Sequence, residues 1–198
     1  MSVGSIIALA LIALAVGYTI YIYNRMVAFR NRVRNGFAQI DVQLQRRYEL
    51  IPNLVETAKG YLQHERETLT GVIEARNQAK AAEERAARKP EDGKAMQQLA
   101  QAEGGLSEAL GRLFALNESY PELKADQTMS DLMDEISATE NKVAFARQHF
   151  NDEVMVYNTF REQFPNNLIA GPTGHTRAEQ LEPDDKEKVR EPVRVSFT

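Results

Sequence analysis

The sequence predicts an all-α protein whose N-terminal transmembrane helix continues into an antiparallel up-and-down four-helix bundle, followed by a flexible C-terminal tail. Two observations lead to this fold class. No charged side chain occurs in residues 1–24, and residues 3–23 form a mostly apolar run of 21 residues. After this run, apolar residues recur every three or four positions, as on one face of a helix, until short Pro- or Gly-containing breaks interrupt them. The predicted boundaries are 1–24 for the anchor, 25–170 for the bundle and 171–198 for the tail.

The apolar run has the length and the flanks of a retained membrane anchor. As a helix it would be roughly 31 Å long, which matches the hydrocarbon core of a bilayer. A cleaved signal peptide would have a basic start, a shorter apolar stretch and a small-residue cleavage site. No Lys or Arg precedes the run, and it ends in tyrosines rather than small residues. We therefore predict a single-pass membrane protein.

Four arginines follow the anchor and predict its orientation: Arg25, Arg30, Arg32 and Arg34. Positive charge beside a span stays on the cytoplasmic side, so we expect the bundle in the cytoplasm. A periplasmic bundle stays open, because the absence of cysteine fits both compartments. The four side chains are candidates for contact with anionic lipid head groups, and a solvated helix face is the alternative.

The first break in the helical pattern comes at Pro52. The apolar stripe of predicted helix one runs from inside the membrane to Ile51 without a proline. Because the residue before a proline is biased away from helix and Pro suits a first turn, we expect a second helix over about residues 53–88. A kinked continuation of helix one is the competing interpretation.

Two further helices complete the predicted bundle. Helix three is expected over about residues 94–117, and helix four from Asp126 or Thr128 to Pro165. Thr128 and Asp131 resemble a capping box. Short connections indicate antiparallel neighbours. Because predicted helices two and four are the longer pair, one hairpin would project past the others, or helix two would return to the membrane surface.

Polar residues near the apolar stripes are candidates for a buried polar network or for an interface. Asn151 and Asn158, for example, are seven residues apart on one face of helix four. A buried polar group can fix register or oligomeric state when it is paired, and we favour that role over a patch for a partner. The candidates are Asn31, Asn35, Asp41, Glu140, Arg147, Asn151 and Asn158.

No pattern in the chain is typical of catalysis. Cysteine is absent, and the three histidines (His64, His149 and His175) lack the spacing of zincin or di-iron ligands. There is no glycine loop of a nucleotide-binding type. The net charge of −4, with both signs interspersed, gives no indication of nucleic-acid binding. We therefore expect a non-enzymatic protein with no catalytic residue, cofactor or metal.

Several long segments resemble the LemA family. They are IYNRMVAFRNRVRNGFAQIDVQLQRRYELIPNLVETAKGYLQHE (22–65), SYPELKADQ (119–127), ATENKVAFARQHFNDEVMVYNTFREQFPNNLIA (138–170) and EPVRVSF (191–197). One departure is Gly36-Phe37, where the family more often has Ala-Trp. The resemblance implies a membrane-anchored helical bundle of the bacterial inner membrane, with a poorly defined activity and no catalytic residues to carry over. One branch of the family is implicated in forming magnetosome membranes.

These observations favour a protein that self-assembles to organise or scaffold the bacterial membrane. Small residues in the span (Gly4, Ala8, Ala15 and Gly17) would let membrane helices approach closely. The alternating Val193, Val195 and Phe197 would add to a neighbouring molecule as a short strand or plug. The expected partners are membrane lipids and further copies of the chain. The alternative is an adaptor that docks a partner membrane protein, such as a protease or signalling kinase.

Overall fold

The computed structural model describes residues 2–182, and all the regular secondary structure in that range is helical. The all-α fold class is therefore confirmed for this part of the chain. The helices are α1 (Val3–Lys59), α2 (Arg66–Arg88), α3 (Gly93–Ser119), α4 (Pro121–Lys124), α5 (Gln127–Glu162) and α6 (Asn166–Ala170). Helix α1 packs along α5, α2 packs along α3, and α2 also contacts α1.

Helix α1 continues through Pro52, so the prediction that a new helix starts there was wrong and the continuous helix is correct. A proline has no N–H, which leaves the carbonyl of Tyr48, four residues earlier, without its helical donor. The side chain of Arg76 on α2 supplies that donor, with Nε 3.0 Å from the Tyr48 oxygen. The chain reverses only after Lys59, and α2 begins at Arg66 rather than near residue 53.

Because the chain reverses after Lys59 rather than at Pro52, the helix lengths differ from the predicted ones. Helix α2 has 23 residues and α3 has 27, whereas α1 takes up residues 53–59. Helix α2 is therefore not the long partner that the break at Pro52 predicted. At the start of α5, the N-cap is Asp126, whose carboxylate accepts from the backbone N–H of Met129 at 2.8 Å. The prediction of a capping box at Thr128 was wrong, because the side chain of Asp126 already accepts a hydrogen bond from a backbone N–H in the first turn of the helix.

The α1–α5 contact is apolar and close. Gly36 lies where a Cβ atom would be 3.2 Å from the backbone Cα of Phe150, so a larger residue would push the helices apart. The Phe37 and Phe150 rings meet edge to face, 5.9 Å apart between centroids. The Phe29 and Phe160 rings are 5.0 Å apart. These contacts give α1 and α5 a shared apolar core along most of the domain.

The chain after α6 differs from the predicted flexible tail. Residues 175–182 have no regular secondary structure, yet His175, Ala178 and Leu181 are buried. The segment packs along α5 through side-chain to backbone hydrogen bonds that are described below. The predicted contact residues Val193, Val195 and Phe197 lie outside the described residues.

Candidate functional site

The N-terminal part of α1 has the properties of a membrane span. Its most apolar 18-residue window has a mean hydropathy of 2.3, and none of that window is buried. Burial starts at Ile22, which packs with Met26 and with Ala170 of α6. Because α1 runs without interruption from the apolar window into the folded core, no linker separates the two. The composition and exposure are those of a single-pass anchor attached to a helical domain.

The four arginines after the span occupy three different environments. The guanidinium groups of Arg25 and Arg32 lie 4.8 Å and 5.5 Å from the centroid of the Phe29 ring. Arg34 is paired with Glu91, at 2.7 Å. Burial opposes the ionisation of Glu91, yet the hydrogen bond from Arg34 lowers its pKa. Arg30 is partly buried, with an Nε atom that has no hydrogen-bond partner. Arg25 and Arg32 lie beside an aromatic ring rather than a carboxylate. They are thus the better candidates for the predicted contact with lipid head groups.

His175 is a buried residue of the domain that lies next to the membrane span. Its ring is buried and contacts the Tyr23 ring edge to face, at 5.6 Å between centroids. Burial lowers the pKa of His175, and the nearby charge of Arg30 acts in the same direction. The buried imidazole therefore favours its neutral form, and it packs against the last turn of the span.

Asn31 and Asn35 are exposed, so they do not belong to a buried network in this structure. They lie on the face of α1 that also carries Ala38 and Val42. Val42 is 63% exposed, and Phe145 on α5 is 75% exposed. These two side chains line a shallow hollow of about 530 Å³, together with Ala38 and Ala146. We call the surface formed by Ala38, Val42, Phe145 and Ala146 the α1–α5 apolar patch.

Asp41 belongs to a carboxyl cluster between α1 and α2. Its carboxyl is within hydrogen-bonding reach of Glu83, and Gln45 Nε2 donates to Glu83 at 2.8 Å. Burial raises the pKa of Glu83 to about 8, and the hydrogen bond and charge of Asp41 add to the effect. At neutral pH the Glu83 carboxyl therefore favours its protonated form, because burial and the adjacent Asp41 carboxyl both oppose its ionisation.

A second buried polar cluster joins α1 to α3. The guanidinium of Arg47 and the hydroxyl of Tyr48 both donate to the carboxylate of Glu103. Arg47 is 2% exposed. Burial raises the pKa of Glu103, although Arg47 and Tyr48 oppose the change. Burial also raises the pKa of Tyr48 strongly, and the negative charge of Glu103 adds to it. The cluster is paired internally, which is what a buried charge requires.

A groove of about 860 Å³ lies beside this second cluster, between α3 and α5, and we call it the α3–α5 groove. Arg47 and Glu103 form part of its floor, and the predicted network residues Glu140 and Arg147 form its α5 side. Glu140 is exposed, whereas Arg147 is half-buried and its pKa is lowered by desolvation. Helix α3 contributes small residues, Gly104 among them, and Leu181 forms one end.

Asn151 and Asn158 bind the backbone of the C-terminal segment. The amide of Asn151 donates to the Leu181 carbonyl at 3.1 Å and accepts from the Leu181 N–H at 2.8 Å. Asn158 does the same with Ala178, at 2.8 Å and 3.0 Å. The two asparagines are thus paired and structural, although their partner is the chain's own C-terminal segment rather than another helix.

The sequence did contain a signal for the buried acidic residues Glu83 and Glu103, which the prediction missed. Glu103 comes four residues after Leu99 and three before Leu106, which are both buried in α3. Arg47 falls at the same kind of position between Leu44 and Ile51 in α1. A charged residue at an apolar position of a helical stripe is typical of a buried, paired charge. Glu83 likewise lies between buried alanines in α2.

Among residues 2–182 no group of three His, Cys, Asp or Glu side chains could hold a metal ion. His64 and His149 are exposed, and His175 is used in packing. The described arrangement therefore offers hydrogen-bonding, apolar and electrostatic surfaces.

A single apolar span that runs rigidly into a helical domain defines a class of membrane-anchored helical proteins. Within that class the chain belongs to the LemA family, whose model matches residues 36–197. Curated relatives include the magnetosome proteins MamQ 1 and MamQ 2 of Paramagnetospirillum magneticum, each 26% identical over 179 residues. These alignments cover 81% of this chain and 64% of each relative.

A third relative is the magnetosome protein MamQ of Magnetospirillum gryphiswaldense, which is 35% identical over 88 residues. That alignment covers 44% of this chain and 32% of the relative. The chain thus spans between about a third and two thirds of the length of these relatives.

Proposed function

We propose that this protein is a non-enzymatic, membrane-anchored helical protein that self-assembles to organise or scaffold the bacterial inner membrane, with its helical domain in the cytoplasm. The observation that carries the proposal is the continuity of α1. Its 57 residues would be about 86 Å long, and the part after the span is the central helix of the core. A domain held so rigidly on its anchor has a fixed orientation to the bilayer, as a scaffold subunit needs.

The exposed face of α1 supports self-association. Gly17, Asn24, Asn31, Ala38 and Val42 follow one another on this face at steps of about seven or four residues, and all are exposed. All copies anchored in one membrane are parallel, so the same face of two copies can meet around a two-fold axis along the membrane normal. The α1–α5 apolar patch would be the part of this contact outside the bilayer, where burial of Val42 and Phe145 is favourable.

Single cysteines test this face, because the chain has no cysteine of its own. We expect full-length Ala38→Cys to form disulfide-linked dimers in membranes under mild oxidation. Ala87→Cys, an exposed alanine on α2, is the matched control and should form few. Equal dimer yields from the two variants would contradict the proposed face. Imaging of vesicles that contain the full-length protein then tests the second part of the proposal, since a scaffold should change membrane shape or form ordered arrays.

The four-helix up-and-down arrangement is part of the same proposal. Helices α1, α2, α3 and α5 are the four long helices of the described residues, and a groove lies between α3 and α5. The relatives are magnetosome proteins, which supports a role at a membrane.

The α1–α5 apolar patch also favours a second candidate function, an adaptor that docks a partner membrane protein. An exposed phenylalanine beside a hollow is a common anchor for a partner. The two functions differ in what co-purifies with the full-length protein. Stoichiometric recovery of one other membrane protein, lost in Phe145→Ser, would favour the adaptor. Recovery of tagged and untagged copies of this chain alone would favour the scaffold.

A further inference from the structure

An uncharged segment with two exposed apolar side chains follows α5. We call residues 163–174, which include α6, the α5–α6 corner. None of these residues is charged, whereas 26% of the whole chain is. Phe164 is 81% exposed and Leu168 is 65% exposed. These fractions are comparable with those of side chains in the apolar span, such as Leu14 at 70%. Apolar side chains exposed together in this way indicate a contact surface.

Helix α5 runs toward the span. Its Phe150 meets Phe37 of α1, and ten residues later its Phe160 meets Phe29, which lies closer to the span. The two helices are therefore antiparallel, and the C-terminal end of α5 is the end nearest the membrane. The α5–α6 corner, which follows that end, lies on the membrane side of the domain.

Helix α6 lies at the level of the last turn of the span. Its Ala170 packs with Ile22 and Met26 of α1. The apolar run ends at Tyr23, and Met26 is about 4.5 Å further along the helix axis. The head-group layer is roughly 5–8 Å thick on each side of the hydrocarbon core of a bilayer. Helix α6 is therefore at the depth of the head groups when α1 spans a bilayer.

Side chains within the corner bond to its backbone. Asn166 Nδ2 donates to the Phe160 carbonyl at 2.8 Å, and the Thr173 hydroxyl donates to the Ile169 carbonyl at 2.7 Å. Backbone groups without a partner oppose entry into an apolar layer, so these bonds favour a position at the lipid surface. They also hold the corner in one shape on the end of α5.

From this position we infer that the α5–α6 corner is a second membrane contact, in which Phe164 and Leu168 insert into the head-group region of the bilayer that α1 spans. Apolar side chains of this kind bury themselves at the boundary between head groups and acyl chains. A span and a corner held by the same bilayer fix the tilt and the rotation of the domain, which a span alone leaves free. The inference rests on the membrane anchoring in the proposed function and not on self-assembly.

The charges around the corner suit an anionic lipid surface. Arg25 is exposed on α1 between Ile22 and Met26, the two residues that contact α6. Glu162, the acidic residue that directly precedes the corner, lies 3.9 Å from the guanidinium of Arg161. Cations close to an anionic surface add to the apolar contact.

Single tryptophans in the full-length protein test this contact, because the chain has no tryptophan of its own. Phe164→Trp reports the corner, and Tyr21→Trp reports the span. Phe145→Trp is the matched control, since Phe145 is 75% exposed and lies on α5 about 22 Å before Phe160, away from the membrane. Each variant is placed in vesicles of equal parts phosphatidylcholine and phosphatidylglycerol. The quencher is phosphatidylcholine that carries bromine on the acyl carbons near the head group.

We expect the brominated lipid to remove at least about half of the emission of Phe164→Trp and of Tyr21→Trp, and little of that of Phe145→Trp. Quenching of Tyr21→Trp alone would overturn the inference and leave the anchor intact. If Phe164→Trp is unquenched but its emission is shifted to the blue, the corner contacts another protein or a second copy, which also overturns the inference. Absence of quenching in Tyr21→Trp would overturn the anchor itself, and with it the second contact.

Accessibility of a single cysteine at Leu168 tests the same contact by a second measurement. Leu168 is 65% exposed and Met155, which lies on α5 farther from the span, is 56% exposed. Without a bilayer contact, Leu168→Cys and Met155→Cys should therefore react with a maleimide at similar rates. In intact vesicles of the same composition we expect a membrane-impermeant maleimide to label Leu168→Cys at least about tenfold more slowly than Met155→Cys. Equal rates in the vesicles would overturn the inference.

Discussion

The two sides of α1 are built from different chemistry. Toward α5 the contact is apolar, with phenylalanine pairs that meet at an angle and a glycine that brings the backbones close together. Toward α2 and α3 the contact contains buried polar groups: Arg47 with Glu103, Glu83 with Gln45, and Arg76 with the Tyr48 carbonyl. Apolar packing tolerates small adjustments, whereas a buried charge requires its partner at a defined position. The polar side therefore specifies how the α2–α3 hairpin docks.

The largest expected effect comes from breaking the buried pair on the polar side. Arg47→Met leaves the Glu103 carboxylate buried without its cation, and we expect a loss of about 3–5 kcal/mol in unfolding free energy. Thermal unfolding of the full-length protein in detergent measures the change. The neighbouring Arg46→Met removes only exposed ion pairs, with Glu135 and Glu49, so it should lower the melting temperature much less.

A double variant tests the reason for the Arg47 effect. In Arg47→Met/Glu103→Leu both charges are absent, so most of the lost stability should return. If the double variant is as unstable as Arg47→Met alone, the unpaired carboxylate is not the cause.

Loss of the Arg76 side chain near Pro52 should give the next largest decrease in stability. Arg76→Met removes the donor to the Tyr48 carbonyl and leaves that oxygen unpaired, at a cost of about 1–3 kcal/mol. In a Pro52→Ala background the restored backbone N–H can satisfy the same carbonyl, so Arg76→Met should then cost measurably less. A double-mutant cycle on melting temperature gives the coupling. Equal costs in both backgrounds would show that Arg76 does not compensate for the proline.

On the apolar side, Gly36→Leu should destabilise by about 1–3 kcal/mol, because its side chain would meet the backbone of Phe150. Gly111→Ala on α3 is the control. Its Cβ would meet nothing within 4 Å, and replacement of a helical glycine should stabilise by about 0.5–1 kcal/mol. A neutral Gly36→Leu would mean that α1 and α5 can separate without cost.

Glu83 provides an effect that depends on pH. Because its pKa in the folded protein is about 8, well above its value in an unfolded chain, the folded state holds a proton that the unfolded state has lost. Stability should therefore fall as the pH rises from about 4.5 to 8. Glu83→Gln stays neutral, so above pH 8 it should melt a few degrees higher than the parent and equally at pH 4.5. If the melting temperatures of both proteins change with pH in the same way across this range, the raised pKa is contradicted. Glu74→Gln, which removes an exposed carboxylate on the same helix, serves as the control.

The apolar side of α1 could be predicted from the sequence, whereas on the polar side the prediction included Asp41 and missed Glu83 and Glu103. The stripe from Ile22 through Phe29 and Phe37 to Leu44 is periodic, and all of these residues are buried. Where α1 continues through Pro52, the carbonyl without a helical donor accepts a hydrogen bond from Arg76, which is 24 positions from the proline. Rules that consider only neighbouring residues therefore predicted that the helix ends there. Asn151 and Asn158 were predicted as a paired polar face. Their partner has no apolar periodicity, however, and was therefore predicted as a flexible tail.

Light scattering of the full-length protein, extracted in mild detergent that retains native lipid, gives the mass of the particle and so tests self-assembly. We expect a large, defined assembly of this chain, which becomes smaller in Phe145→Ser because the α1–α5 apolar patch is disrupted. A monodisperse monomer at native-like lipid content would show that the chain does not self-assemble.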